Sequence, residues 1–291
     1  MPEITDTCWV CGNNRGLVRV KPSNISKAVT SKSFAITDSA YGVTGELAKC
    51  PVCGFLQCTN LTDVLGFYQD LEDPGYESSR KQRSLQARKI LATLAPFANG
   101  KKLLDIGAGS GILVEEARQM GFDAAGIEPS RWLQDKARRR GLEVVLGIFP
   151  HPDLPGPFDV ITLTDVIEHV SDPVGLLKAA GKALAPGGII AVTTPDVGAL
   201  LPKILRYRWW HFRVAHIGYF NKKTLSLAAK RAGLEKIYSG RAKWYFAADY
   251  LLERVKIYLP KFLRFPTPKF LERLTIPLNL GDSMFMIFKK K

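Results

Sequence analysis

The stretch that most constrains this chain runs Leu103-Leu104-Asp105-Ile106-Gly107-Ala108-Gly109-Ser110-Gly111 and is answered by Asp123-Ala124-Ala125-Gly126-Ile127-Glu128. An apolar run ending at Asp105 reads as a buried strand. The glycines after it let the backbone turn sharply and approach a ligand where a Cβ would collide. Ile112 to Met120 carries the apolar spacing of a helix whose N-terminus faces that ligand. A second short strand ends at Glu128, which puts a carboxylate where two ribose hydroxyls can donate to it. The pattern predicts a nucleotide-type cofactor site. A dinucleotide loop would need G-x-G-x-x-G, so that a helix N-terminus can hold a pyrophosphate. Here the third glycine comes one residue early and Ile112 stands in its place.

This G-x-G-x-G turn resembles motif I of the class I S-adenosylmethionine (SAM) dependent methyltransferases. The segment Phe158-Asp159-Val160-Ile161-Thr162-Leu163-Thr164-Asp165-Val166-Ile167-Glu168-His169-Val170-Ser171-Asp172-Pro173 is similar to the corresponding strand of that superfamily, particularly in the branch of ubiquinone-biosynthesis O-methyltransferases and sugar or surface-glycan methyltransferases. The resemblance covers about residues 85 to 240 and reaches a last strand, Met284 to Phe288. It implies SAM as cofactor, held by Asp105, Gly107, Ala108, Gly109, Gly111, Glu128, Thr164 and Asp165. The acidic residue often found near the adenine is absent from Val144-Val145-Leu146-Gly147-Ile148-Phe149, so backbone groups and Ile148 or Phe149 are expected to hold that ring. Between these segments, a helix from Val174 to Leu184 capped by Ala185-Pro186-Gly187-Gly188 leads into a buried strand from Ile189 to Thr193. Alternating strands and helices predict an α/β fold: a doubly wound, mostly parallel seven-stranded sheet, Rossmann-like, with its ligands at the carboxyl ends of the strands.

Methyl transfer from a sulfonium is an in-line displacement, so the protein must position the acceptor and take its proton where needed. His169 is the candidate general base, with Glu168 to orient it or stabilise its charge. In relatives the Glu-His pair also shapes the pocket or binds a metal. His216 matches a family position in which a His precedes an aromatic ahead of a "T-L" helix start, here Asn221 to Leu225, in an insert that covers the acceptor pocket. His211 lies in the same insert, and Arg206, Arg208 and Arg213 are expected to offer bidentate hydrogen bonds to a phosphate of a carrier substrate.

Four of the five cysteines form two C-x-x-C-G knuckles, Cys8/Cys11 and Cys50/Cys53. Two such knuckles supply the closed four-sulfur shell of structural zinc, whereas redox chemistry would be expected from a single C-x-x-C beside a βαβ unit. Cys58 lies outside the pattern, as a core or surface thiol. The spacer between the knuckles, roughly forty residues, is longer than in a compact zinc ribbon. Knuckles followed by Phe67-Tyr68 and Tyr76 also resemble the sugar methyltransferases. These readings divide the chain into a zinc-binding lobe over residues 1–65 and a methyltransferase domain over 66–291, with basic aromatic insertions at about 200–220 and 244–280.

Charge is concentrated at one end. Residues 201–291 carry 20 Lys+Arg against 5 Asp+Glu, so their balance of +15 exceeds the +14 of the whole chain. The same third holds 17 of the 29 aromatic residues. Within it, Ala248 to Arg273 reads as two short helices broken by prolines, and this C-terminal helical insertion sets Leu251, Leu252, Val255, Tyr258 and Leu259 at helical spacing among Arg254, Lys256 and Lys261. Such a surface suits lipid headgroups or a polyanion, or it is a solvated face over an aromatic core. No stretch approaches the roughly 20 apolar residues that cross a bilayer, and Met1 to Asp6 is polar, unlike a signal peptide. The expectation is therefore a cytoplasmic enzyme, peripheral at most to the inner membrane face. Its acceptor is a small molecule or lipid-linked glycan, a sugar hydroxyl first among them. An RNA methyltransferase is the alternative, made less favoured by Glu168-His169, which is unlike the motif that holds a flipped amine base. A non-catalytic SAM-binding scaffold would need a damaged glycine loop, and this loop is intact.

Overall fold

The computed structural model describes residues 3–4, 7–38, 40–256, 259–260 and 265–290. Tyr258 and Lys261 lie outside the described residues. Four short antiparallel strands come first: β1 (Glu3–Ile4), β2 (Leu17–Lys21), β3 (Leu47–Lys49) and β4 (Leu56–Cys58). The strands of the main sheet follow, β5 (Lys102–Ile106), β6 (Asp123–Glu128), β7 (Val144–Leu146), β8 (Phe158–Thr164) and β9 (Leu184–Pro195), all parallel to one another. Further on come β10 (Gly218–Tyr219), β11 (Leu234–Gly240), β12 (Trp244–Ala247), β13 (Thr275–Leu278) and β14 (Ser283–Lys290). The main sheet is ordered β11-β14-β9-β8-β5-β6-β7, with β14 antiparallel to both its neighbours.

Side chains alternate across a strand, so near-continuous apolar runs bury both faces of this sheet. Leu104, Ile161 and Ile190 join one core cluster, while their chain neighbours Leu103, Val160 and Ile189 join another on the opposite face. The carboxyl ends of β5, β6 and β8 meet where the strand order reverses direction, and the glycine turn, Glu128 and Thr164–His169 all sit there.

Three local expectations are corrected. The helix after β8 spans Pro173–Lys182, with Asp172 as its N-cap accepting from Gly175 N at 2.8 Å, and it ends before Leu184. Residues 184–188 do not cap it but open β9. Leu184 pairs with Phe158, and the Phe158 N–H donates to the Ala183 carbonyl at 2.8 Å. A bulge at Gly187 (φ +75°) then absorbs the extra residues, so pairing with β8 overrides the local stop signal. The second correction concerns the C-terminal insertion. Among its described residues it holds one α-helix, Ala248–Lys256, and a 3-10 turn, Lys269–Arg273, and it is clasped by a ribbon of β12 and β13 that the helical spacing did not predict. The third concerns Arg254 and Lys256, expected as free headgroup-binding charges. Arg254 stacks on Tyr250 and donates to the Thr37 carbonyl, and the buried Lys256 pairs with Glu253.

The lobe sheet recruits a strand from far along the chain. β10 is its fifth member, with Gly218 opposite Gln57 and Tyr219 opposite Leu56. Next to it, Cys58 N–H donates to the Ile217 carbonyl (2.7 Å) and Ile217 N–H donates to the Glu168 carbonyl (3.0 Å). A loop of the main domain is thereby stitched both to the lobe and to the Glu-His segment. Among the described residues no helix is long and apolar enough to cross a membrane.

Candidate active site

One cavity of about 1810 Å³ runs from the glycine turn to the 210–216 insert. Asp105, Gly107, Ala108, Gly109, Glu128, Thr164, Asp165, Glu168, His169 and His216 all line it, while Gly111 does not. Gly111 instead forms the left-handed entry to the helix Ile112–Gln119.

At the cofactor end, the three glycines of the turn have φ of +74°, +55° and +75°. A Cβ on Gly109 would stand 2.6 Å from the Tyr76 hydroxyl, so a larger residue would be strained in backbone and would also collide. Gly107 and Ala108 N–H both donate to the Ile127 carbonyl, which fastens the turn to β6. Glu128 accepts from Gly109 N (2.7 Å) and Ser130 N (2.9 Å), one bond to each oxygen. A carboxylate has about four acceptor positions, so two remain for ligand hydroxyls. Asp105 accepts from Thr162 Oγ1 at 2.6 Å. Burial raises both acids to about 7, the Glu128 charge adding to the shift of Asp105. Ile148, more than half exposed, and the buried Phe149 follow β7 along the same wall.

At the other end, His169 Nδ1 lies 2.6 Å from the Ala215 carbonyl oxygen and 2.7 Å from the Tyr68 hydroxyl. In the tautomer with the proton on Nδ1, the Ala215 carbonyl accepts it and Nε2 carries the lone pair. Nε2 lies 4.0 Å from Glu168 Oε1, an oxygen that is buried without a hydrogen-bond partner, while Oε2 accepts from Thr194 Oγ1 at 2.9 Å. The ring of His169 meets that of His216 edge-on at 4.9 Å, and His216 stacks on His211 at 5.5 Å. Desolvation lowers His169 to about 4 and His211 to about 3, and holds His216 well below the usual histidine range. Burial keeps Glu168 protonated well above the ordinary carboxylate range, with the Asp165 charge adding to it. This end is therefore a cluster of neutral imidazoles. Arg206 and Arg208, expected as phosphate ligands, sit exposed in a surface 3-10 turn away from the cavity lining, and of the three arginines only Arg213 reaches it.

The cysteines assemble as the spacing predicts. The Cys8 and Cys53 sulfurs are 3.6 Å apart, those of Cys11 and Cys50 3.5 Å, and all four lie within 4.8 Å of one another with no disulfide. A tetrahedron with metal–sulfur bonds of about 2.3 Å has sulfur–sulfur edges of about 3.8 Å, so the donor set fits zinc. Burial pushes the Cys8 thiol up to about 11, a shift a bound cation would reverse. Cys58 is a core thiol whose S–H points to Asn60.

A family model described as a methyltransferase domain matches residues 79–239. The chain belongs to this family. Among curated proteins, the ubiquinone biosynthesis O-methyltransferase of Caulobacter sp. (strain K31) is 37% identical over 107 residues, which span 34% of this chain and 42% of that protein. Its namesake in Pseudomonas aeruginosa is 35% identical over 103 residues, 33% of this chain and 44% of that one. The match thus spans less than half the length of these relatives. Among solved structures, a SAM-dependent methyltransferase of Archaeoglobus fulgidus aligns with a TM-score of 0.52 at 18% identity, covering 75% of this chain and all of that one. One from Thermotoga maritima aligns at 0.51 and 19%, covering 75% and 95%. These alignments report the fold, which is that of the class I methyltransferases.

Several residues of the site lie outside the motifs that the sequence displays. Tyr76 covers the glycine turn, with the Arg83 guanidinium 4.2 Å from its ring centre, and Tyr68 reaches His169. Both tyrosines precede the matched region, and a hydrophobic-Tyr pattern was their one signal. Trp244, Tyr245 and Phe246 also line the cavity, from a ribbon that closes only in three dimensions.

Proposed function

We propose that the protein transfers a methyl group from SAM to a hydroxyl of a small amphiphilic acceptor. The observation that carries this reading is a single cavity with the glycine turn and Glu128 at one end and the His169 imidazole, held neutral by burial, at the other. The cofactor supplies an electrophilic methyl group. In this reading Glu128 would accept from the ribose hydroxyls, Ile148 and Phe149 would flank the adenine, and His169 would take the acceptor proton as the O–C bond forms and the methyl–sulfur bond breaks, its electron pair leaving with the thioether S-adenosylhomocysteine. The largely apolar lining and the ubiquinone O-methyltransferase relatives support an acceptor with an apolar body, lipid-linked or otherwise, more than a bare sugar. Zinc on Cys8, Cys11, Cys50 and Cys53 would be structural, holding the lobe to which β10 is paired.

A second reading is favoured by the orphaned Glu168 Oε1. Glu168, His169 and His216 bring one ligand atom each within 4.8 Å of the others, and a divalent cation there would orient the acceptor hydroxyl instead. Activity that survives chelation of weakly held metal would exclude it.

The insertion also offers a lipid-facing surface: Phe265, Phe270, Leu274 and Ile276 are exposed beside Lys269 and Arg273. Incubating the protein with methyl-labelled SAM and a bacterial extract tests the whole reading. Label is expected in the organic-soluble fraction. Label confined to RNA would reverse the ranking of acceptors, and binding of NAD in place of SAM would remove the reading altogether.

A further inference from the structure

Arg213 is buried and lines the acceptor end of the cavity. Its Nη1 donates to the Ile36 carbonyl at 3.1 Å and its Nη2 to the Ala35 carbonyl, but its Nε is buried with no partner. Among the described residues no carboxylate stands within ion-pair distance of it. Of the buried acids lining this end, Glu168 bonds Thr194 through Oε2 and is held toward its neutral form by burial, and Asp282 accepts from the Trp209 indole. Its neighbours are neutral: His169, His211, His216, Tyr68 and Tyr219 all feel its charge, and none offers a counter-charge. Two carbonyl dipoles orient a guanidinium, but they do not neutralise it. A buried cation without an ion partner is costly unless something else supplies the anion. The turn closed by His216 N–H to the Arg213 carbonyl (3.1 Å) holds this cation beside the imidazoles, and the Ala215 carbonyl within that turn lies 2.6 Å from His169 Nδ1.

We propose that Arg213 anchors an anionic group on the acceptor, so that the substrate is a hydroxylated carboxylate or phosphate ester and not a neutral alcohol. The inference rests on the methyl-transfer reading only in calling that ligand the acceptor. A planar guanidinium suits either anion.

Calorimetry on the full chain, with and without S-adenosylhomocysteine (SAH), tests it with two matched pairs: 3,4-dihydroxybenzoate against catechol, and glucose 1-phosphate against glucose. The anionic member of at least one pair is expected to bind about tenfold or more tighter than its neutral partner, the scale of a hydrogen bond to a charged group. The pair with the larger ratio identifies carboxylate or phosphate. Arg213→Gln, which keeps an amide N–H for the carbonyls of residues 35–36 but loses the charge, should bring that ratio to about one without changing SAH affinity. Arg213→Lys should retain part of the preference and decides the matter if the Gln variant does not fold. Ratios near one in the wild type for both pairs, or an anion preference that survives Arg213→Gln, would overturn the proposal. Failure to bind SAH would count against methyl transfer and leave the anion result standing by itself.

Discussion

The two ends of the cavity are built in different ways. Most of the cofactor end comes from one contiguous stretch, residues 102–149, in which strands hand on to turns and helices, with Thr162 and Tyr76 added from outside it. Its critical contacts, such as Gly109 to Glu128, join residues 19 apart in sequence. The acceptor end is assembled from segments near residues 34–37, 68, 168–169, 210–216 and 244–247. Tyr68 reaches His169 across 101 positions, and Arg213 reaches Ala35 across 178. A local unit needs few long loops closed before its contacts form, whereas the acceptor end depends on the lobe, the insert and the ribbon all docking. The cofactor end should therefore tolerate damage to the lobe, and the acceptor end should not.

The largest effect expected from a single substitution is at the acceptor end. His169→Ala should lower turnover by about 10² to 10⁴ while SAH affinity stays unchanged. A parallel loss of SAH affinity would show that the two ends are not separable. Because desolvation holds His169 near 4, the base is neutral across the physiological range. The acid limb of kcat/KM should lie well below pH 6, and a limb at an ordinary histidine value would remove His169 from the role.

Damage to the lobe should be the next largest. Cys53→Ser or removal of zinc by a strong chelator is expected to cost several kcal/mol of lobe stability, as loss of a structural metal does. Hydrogen exchange should report it as lost protection of the Cys58 and Ile217 amides, which bond to Ile217 and Glu168, with the β5 amides unchanged. Equal deprotection of β5 would contradict the comparison.

A smaller effect is expected from Glu128→Gln, which should weaken SAH binding by about 1.5 to 3 kcal/mol. Its pH dependence is the sharper test. Asp105 and Glu128, at about 7 in the folded protein, lie above their ordinary carboxylate values. Their contribution to the stability of the ligand-free protein is fully present below about pH 4 and is lost as pH rises towards 7. Ribose hydroxyls donate to the ionised form, so SAH affinity should rise over the same window and level off above it, with a proton released on binding. An affinity independent of pH would place the ribose elsewhere.

Smallest is the surface effect. Replacing Lys269 and Arg273 with Gln should weaken binding to anionic vesicles by about 1 kcal/mol per charge, fading with salt. Vesicle binding untouched by the change would move the contact away from this patch.

Much of this molecule was legible in its residues. The strand–glycine–helix run, Glu128 at the next strand end, the Glu-His segment and the paired knuckles each rest on spacing within a few tens of residues, and local geometry follows from such spacing. The seven-stranded sheet followed from alternating strands and helices. Tertiary structure alone decided that 184–188 pair as strand and do not cap a helix, and that 244–247 close a ribbon with 275–278. It also decided that β10 joins the lobe sheet, that Arg213 turns inward while Arg206 and Arg208 face solvent, and that Arg254 and Lys256 are engaged internally. In each case the residue's own preferences are compatible with two outcomes. The choice falls to a partner tens to hundreds of positions away, through hydrogen bonds and burial that exist only once the chain has closed on itself.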